Sequence, residues 1–360
     1  MDEPRDRCPI VLKTHHRLFF GDAAVLGGVS PESAQLVVTS PPYPMVQMWD
    51  EGFSSLVPEA REALLAMDGP RAFEAMHGLL DRVWLACAHA LQPGGIACVN
   101  IGDATRTIDG NFRLFSNHAR IVAGMERAGF VSLPDILWRK PTNAPNKFMG
   151  SGMLPAGAYV TYEHEYVLLF RKGGKRVFGS MEERQNRRRS AYFWEERNRW
   201  FSDLWTDVRG VAQELDATSR DRSAAYPIEL AFRLIQMFSA YGDVVLDPFV
   251  GTGTTMAAAV ASGRSSVGLE LDAGLADVIE GRLNNALVWG KTRAERRLAD
   301  HEDFVTARTA AGKSFKHRNM IYDVPVVTAQ ETDLQLNCGD RLSANGTRVW
   351  DVDCAPVGCG

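Results

Sequence analysis

The sequence predicts an α/β protein built on a mostly parallel sheet. Three observations carry that reading. Short apolar runs alternate with helical patterns along most of the chain, as in strands whose two faces are covered by helices. Two of these runs end abruptly, one in Pro41-Pro42 and the other in a glycine turn through Gly251 and Gly253, where a sheet cannot continue. The 360 residues, 45% hydrophobic and 23% charged, suffice for one large α/β domain with insertions or for two domains.

Taken in order, the expected strands are 18–20, 35–39, 96–101, 136–138, 165–170, 244–247 and 266–270. The expected helices are 71–91, 117–128, 227–240 and 254–262. Gly129 and Gly263 stand where helices 117–128 and 254–262 need a residue tolerant of the left-handed conformation. Pro227 suits the first position of its helix, where a missing N–H costs nothing. Residues 141–163, rich in Pro, Gly, Asn and Met, read as a long loop. Residues 171–222 hold the run Arg187-Arg188-Arg189 followed by Tyr192, Phe193, Trp194, Trp200, Phe201 and Trp205. Beyond about residue 290 the chain turns polar and irregular, and no fold is assigned there.

Charge and composition exclude little but set defaults. The net charge of −4 means that any nucleic-acid contact must come from a local basic patch. Residues 171–209 supply one, with eleven Lys or Arg against six Asp or Glu. No run approaches the roughly 18 apolar residues of a membrane span, and the N-terminus, five of its first seven residues charged, lacks the apolar core of a secretory signal, so a cytoplasmic location is expected. The six cysteines lack zinc spacing, and Cys87 and Cys98 sit in apolar runs that mark them as core, so no metal is expected.

The segment from Asp243 to Thr255 passes from a strand through Asp247, Pro248, Phe249, Gly251 and Gly253 into a helix opening on Thr254 and Thr255. Glycines here allow a tight turn and close approach of the backbone to a ligand. Position 256 is Met and no Lys follows, so neither the dinucleotide fingerprint nor a P-loop is present. A cofactor without a pyrophosphate fits better. Glu270, at the end of the next strand and seventeen residues after Gly253, can accept hydrogen bonds from a ribose diol.

The run from Leu36 to Thr39 ends in Ser40-Pro41-Pro42-Tyr43. The prolines stiffen the chain and hold Ser40 extended, so fixed acceptors stand beside an aromatic face. That pairing suits a planar, amino-bearing base, held by its –NH₂ and stacked on Tyr43.

Thr39-Ser40-Pro41-Pro42-Tyr43 resembles the catalytic motif of the amino-methylating DNA methyltransferases. The stretch from Asp247 to Thr255 resembles their cofactor motif. Residues 91–103, Trp138 to Pro141, His164 to Lys172 and Tyr226 to Leu230 resemble intervening strands and the helix before the cofactor strand. The similarity covers roughly residues 15–285 and departs at Tyr226, where many members carry His. Catalytic motif first and cofactor motif last is the order of the permuted β group.

The resemblance implies a circularly permuted, Rossmann-like, seven-stranded methyltransferase sheet with a target-recognition insertion. It divides the chain into a catalytic part at 15–170, the insertion at 171–222, a cofactor part at 223–289 and an extension at 290–360. It assigns catalysis to Ser40, Pro41, Pro42 and Tyr43. It assigns S-adenosyl-L-methionine to Asp22, Thr39, Asp247, Pro248, Phe249, Gly251, Gly253, Thr254, Thr255 and Glu270, with Asp22 meeting the adenine amino group. Arg187, Arg188, Arg189, Arg197 and Arg199 are expected on double-stranded DNA. Ser40 tilts the expected target toward cytosine N4. The alternatives are adenine N6, an RNA or protein-amide methyltransferase, and a DNA-binding module of the same fold without turnover. His164-Glu165 reads as structural positioning before a strand. A cognate restriction endonuclease, and a monomer or homodimer, accompany the reading as open expectations.

Overall fold

The computed structural model describes residues 12–140, 149–209 and 226–358. The first seven residues, the start of the 141–163 loop and the end of the 171–222 insertion lie outside the described residues. Among the described residues the chain builds a ten-stranded sheet, three strands wider than the seven expected, and three two-stranded ones. The strands of the large sheet are β1 (Leu12–Phe20), β2 (Ala34–Thr39), β3 (Leu91–Ile101), β4 (Phe130–Arg139), β5 (His164–Lys172), β6 (Leu204–Trp205), β7 (Val244–Asp247), β8 (Ser265–Glu270), β9 (Asn337–Ala344) and β10 (Val349–Pro356). The spatial order is β6-β4-β5-β3-β2-β7-β8-β1-β10-β9.

All seven expected strands are present. Strands β3, β2, β7, β8 and β1 run parallel, and β5 is antiparallel to both β3 and β4. The permutation is visible directly. Strand β1 lies beside β8, with Phe20 opposite Glu270, so the first strand of the chain follows the Glu270 strand in space.

Alternation along the strands divides the core. Val37 and Val99 face α3 (Gly69–Ala90) and α4 (Asn117–Arg127), together with Leu80, Trp84 and Ile121. Leu36, Val38 and Cys98 face the other way, onto Leu230, Leu234 and Ala258 of the two helices that flank β7. With α1 (Asp50–Leu56), α2 (Pro58–Leu65), α5 (Met181–Arg189) and α6 (Trp194–Trp200) numbered ahead of them, these are α7 (Ile228–Phe238) and α8 (Thr254–Ala261).

Two expectations need correction. The chain beyond residue 290 is largely irregular only over 311–336: α9 spans Ala276–Ala310, crossing the expected boundary, and the β9–β10 hairpin takes up 337–356. Strand β10 pairs antiparallel with β1, so the extension is part of the main sheet. The second half of α9 escapes a search for apolar periodicity because its buried stripe is Gly290, Ala294, Arg297 and His301. Gly290 is required there, since a Cβ would stand 2.8 Å from the Ala261 backbone of α8.

The second, that the aromatics of the insertion serve packing or stacking on bases, is narrowed to packing. Phe193, Trp200 and Trp205 are fully buried. Trp200 and Trp205 pack on the α7 side of the sheet, and Phe193 stacks on His301 of α9 at 3.9 Å. A buried ion pair, Glu196 with Arg297, ties α6 to α9 at 2.6 and 2.8 Å. These rings are core, not a stacking platform for bases.

Candidate active site

The carboxyl ends of β1, β2, β7 and β8 converge, as ligand sites in open α/β sheets do. A cavity of about 680 Å³ opens there, lined by both expected motifs. Ser40, Pro41, Pro42 and Tyr43 lie on one side, and Pro248, Phe249, Gly251, Thr254 and Glu270 on the other. Asp22, at the end of β1, completes the rim while its Oδ1 accepts from the Ala24 N–H at 2.8 Å.

Thr39, Asp247, Gly253 and Thr255 stand behind this wall rather than on it. Thr39 Oγ1 donates to Asp247 Oδ1 at 2.7 Å, joining the ends of the catalytic and cofactor strands. Burial pushes the Asp247 carboxyl up to about 6, against the opposing pull of Thr255, Thr39 and the Phe249 N–H. Thr255 Oγ1 donates to the Val38 carbonyl at 3.2 Å and bonds the Tyr226 hydroxyl. Gly253 is left-handed at φ +90° and sits against Ile279.

The turn is clamped from α9. Arg282 Nη1 donates to Thr252 Oγ1 at 2.7 Å and Thr254 Oγ1 at 2.6 Å. Glu270 holds the mouth. Its Oε2 accepts from the Gly251 N–H at 2.7 Å, and its Oε1 from the N–H groups of Leu271 and Asp272 at 2.9 and 3.0 Å. Burial raises its carboxyl despite these donors.

The cavity suits a nucleoside cofactor without phosphate. No Lys or Arg lines it among the described residues, Leu79, Val83 and Leu269 give it apolar walls, and Gly251 at φ +54° leaves open the space a Cβ would fill.

The catalytic side holds a network that motif spacing did not reveal. Tyr43 Oη donates to Glu165 Oε2 at 3.0 Å and lies 3.2 Å from Ser40 Oγ. Asn100 Nδ2 donates to Tyr43 Oη at 2.9 Å and to Glu165 Oε2 at 2.7 Å. Lys140 Nζ donates to Glu165 Oε1 at 2.6 Å. Burial, then the Glu165 carboxylate, pushes the Tyr43 phenol well above its ordinary range. Glu165 therefore fixes the ring expected to receive a base, a role closer to the reaction than positioning before a strand. Met48, Trp49, Glu51 and Phe53, from the turn before α1 and its first residues, also line the cavity. That segment carries no recognisable motif, and only Pro58 at the start of α2 and the acids Asp50 and Glu51 signal helices there.

The expected DNA-contacting arginines lie elsewhere. Arg187, Arg188 and Arg197 line a groove with Gln35, Gly94 and Ala240, at the amino end of the sheet. Gln35 and Ser40 are five residues apart on one extended strand, about 17 Å. Arg189 is half-buried beside the groove, and Arg199 is exposed outside it. The reason is directional. Strand β5 is antiparallel to its neighbours, so Lys172 leaves the sheet at the amino end and α5 must form there. The arginine run itself is the last turn of a helix capped by Ser180 and Glu183, where cations complement the helix dipole. The chain returns to the carboxyl end only at β6, which pairs parallel with β4.

Comparison with known proteins defines the class. Residues 34–281 match the family model described as DNA methylase, of the N6/N4 type. The chain belongs to this family, and its cofactor is S-adenosylmethionine. The type II methyltransferase M.MthZI of Methanothermobacter thermautotrophicus is 50% identical over 327 residues, which cover 90% of this chain and 91% of the relative. M.MjaI of Methanocaldococcus jannaschii, also a type II methyltransferase, is 47% identical over 285 residues, 76% of this chain and 93% of its own. Among solved structures, TTHA0409 of Thermus thermophilus, a candidate DNA modification methylase determined with S-adenosyl-L-methionine, aligns at 34% identity. It has a TM-score of 0.58 and covers 75% of this chain and 95% of its own.

Proposed function

We propose that the chain is a type II, site-specific DNA methyltransferase acting on the exocyclic N4 of a cytosine flipped out of double-stranded DNA. The observation that carries the reading is the neutral Ser40 hydroxyl beside the Tyr43 phenol, at the end of a strand bonded to the cofactor strand through Thr39 and Asp247. S-adenosylmethionine supplies an electrophilic methyl group when bound. Glu270 would hold its ribose and Asp22 its adenine edge, with Pro248, Phe249 and Gly251 forming the wall.

The chain's own part is orientation. The Ser40 hydroxyl and the Pro41 carbonyl accept from the target amine and draw its lone pair out of conjugation. Tyr43, held by Glu165 and Asn100, stacks the base, worth about 1–3 kcal/mol. Flipping costs a few kcal/mol, which contacts made to the open site offset. No cysteine stands in the motif, so the reading has no carbon-5 chemistry. The relatives carry the name type II methyltransferase; the reading adds to this a cytoplasmic location, a cognate restriction endonuclease and a monomer or homodimer.

The test is mass spectrometry of nucleosides from DNA treated with the purified protein and cofactor. N4-methylcytosine is expected. N6-methyladenine alone overturns the base assignment, and neither product, with cofactor bound, overturns the DNA substrate.

A further inference from the structure

The amino-end groove is a second feature of the molecule, separate from the reaction. Its volume is about 1190 Å³, and seven Lys or Arg line it against one acid, Glu331. On a chain of net charge −4 this is a concentration of one sign, not a reflection of composition. Part of that charge is committed internally. Arg176 is paired with Asp243 at 2.5 and 2.9 Å, Arg184 donates to the Phe178 and Gly179 carbonyls, and Arg188 lies 3.6 Å from Asp333.

Lys175, Arg187 and Arg197 are exposed, and none forms an ion pair among the described residues. Two of them are nevertheless held in place. Arg176 and Arg187 sandwich the Phe178 ring at 4.6 and 4.7 Å, and Arg197 lies over Phe201 at 5.6 Å. Fixed, uncompensated cations along a groove are the footprint of a polyanion.

We infer that this groove binds the phosphodiester backbone of a second duplex DNA segment, without reading its sequence. A straight duplex seated at the carboxyl end cannot also lie in a groove that opens at the other end of the strands, and DNA is stiff over about 150 bp. The groove therefore holds a different stretch from the one presented to Tyr43. Holding it makes transfer of the enzyme between segments an intramolecular event, with the gain in effective concentration that follows. The inference does not depend on which base is methylated.

The experiment counts duplexes per chain. Wild-type protein with cofactor is titrated with a random-sequence duplex of about 14 bp, roughly one and a third helical turns, and stoichiometry is read by sedimentation and native mass spectrometry across salt concentrations. Two duplexes per chain are expected at low salt, the second lost steeply as salt rises. In the variant Lys175→Ala/Arg187→Ala/Arg197→Ala the second duplex should bind at least tenfold more weakly. Its log–log salt slope should fall by about 0.9 per lost contact. Cofactor calorimetry and melting temperature, unchanged in the variant, certify the fold. A single duplex per wild-type chain at low salt, or a second duplex that survives the triple change, overturns the proposal. A groove that prefers duplex RNA of the same length overturns the choice of DNA. If two duplexes bind here but the nucleoside assay described above finds no methylated base, the function proposed above falls and this one stands.

Discussion

The two ends of one sheet handle polar groups in opposite ways. At the carboxyl end they are bonded to one another across long sequence distances: Thr39 to Asp247, Tyr43 to Glu165, Glu270 to the Gly251 backbone. At the amino end Lys175, Arg187 and Arg197 stand exposed, and none forms an ion pair among the described residues. The first arrangement is what preorganised chemistry requires, because orientation must be fixed before the substrate arrives. The second suits binding that reads no detail. Motif and charge therefore separate in this molecule, although they lie on one chain and one fold.

The sharpest way to break the comparison is at the cofactor turn. Gly253→Val places a β-branched residue at φ +90° with Ile279 Cγ2 already 3.1 Å from the added Cβ. Strain of about 1–3 kcal/mol plus displacement of Ile279 should abolish measurable cofactor binding in calorimetry. Retained affinity would show that the left-handed turn is not needed.

Next in size, Tyr43→Ala removes the stacking face and should raise the kcat barrier by about 1–3 kcal/mol, up to roughly a hundredfold in rate, with cofactor affinity nearly intact. Equal losses in kcat and in cofactor binding would place Tyr43 in the cofactor wall instead. Glu270→Ala should do the converse, weakening cofactor binding by about 1.5–3 kcal/mol, the range for bonds to a charged acceptor. Titration calorimetry separates the two.

Glu165→Gln is smaller and more telling. The neutral amide can still accept from Tyr43 but no longer pairs with Lys140. A loss of about 1 kcal/mol in kcat is expected, the net worth of one such bond. Recovery in Glu165→Asp would argue for charge over reach, and a wild-type rate in Glu165→Gln would return Glu165 to a purely structural role.

The smallest effect concerns pH. The Asp247 carboxyl is raised from an ordinary 3.8 to about 6 by burial. Between those values the native state keeps a proton that the unfolded chain has released, so the stability this group contributes falls as pH rises through that window. Asp247→Asn should flatten that dependence, and the difference in melting temperature between the two proteins should change between about pH 4 and 6. A constant difference would mean that Asp247 titrates normally.

Much of the carboxyl end was legible because its residues are contiguous: Ser40 to Tyr43 in one run, Asp247 to Thr255 in another. Glu165 was not, since its partner Tyr43 is 122 residues away and a single Glu at the start of a strand has many uses. The charge of the insertion was legible, but its address was not. That depended on the antiparallel direction of β5, which apolar patterning leaves undetermined. The β9–β10 hairpin did carry a signal, the alternation of buried Trp350, Val352, Cys354 and Pro356. Its charged partners Asp351 and Asp353 disguised it as polar chain. The small and polar stripe of α9 offered no comparable signal.

The place of β1 bears on how the chain reaches this state. This first strand finds its neighbours at the far end of the polypeptide: His16 bonds Ser266, 250 residues away, and Thr14 bonds Cys354, 340 residues away. During synthesis β1 therefore waits unpaired until β8 emerges, and its other edge stays open until β10 is made. Contacts of such separation slow folding, and a waiting strand edge is open to wrong partners. Strand β10 acts as the closing seam of the sheet on the β1 side. A ribosome that stalls before residue 349 releases a chain with both motifs made and an unsealed edge.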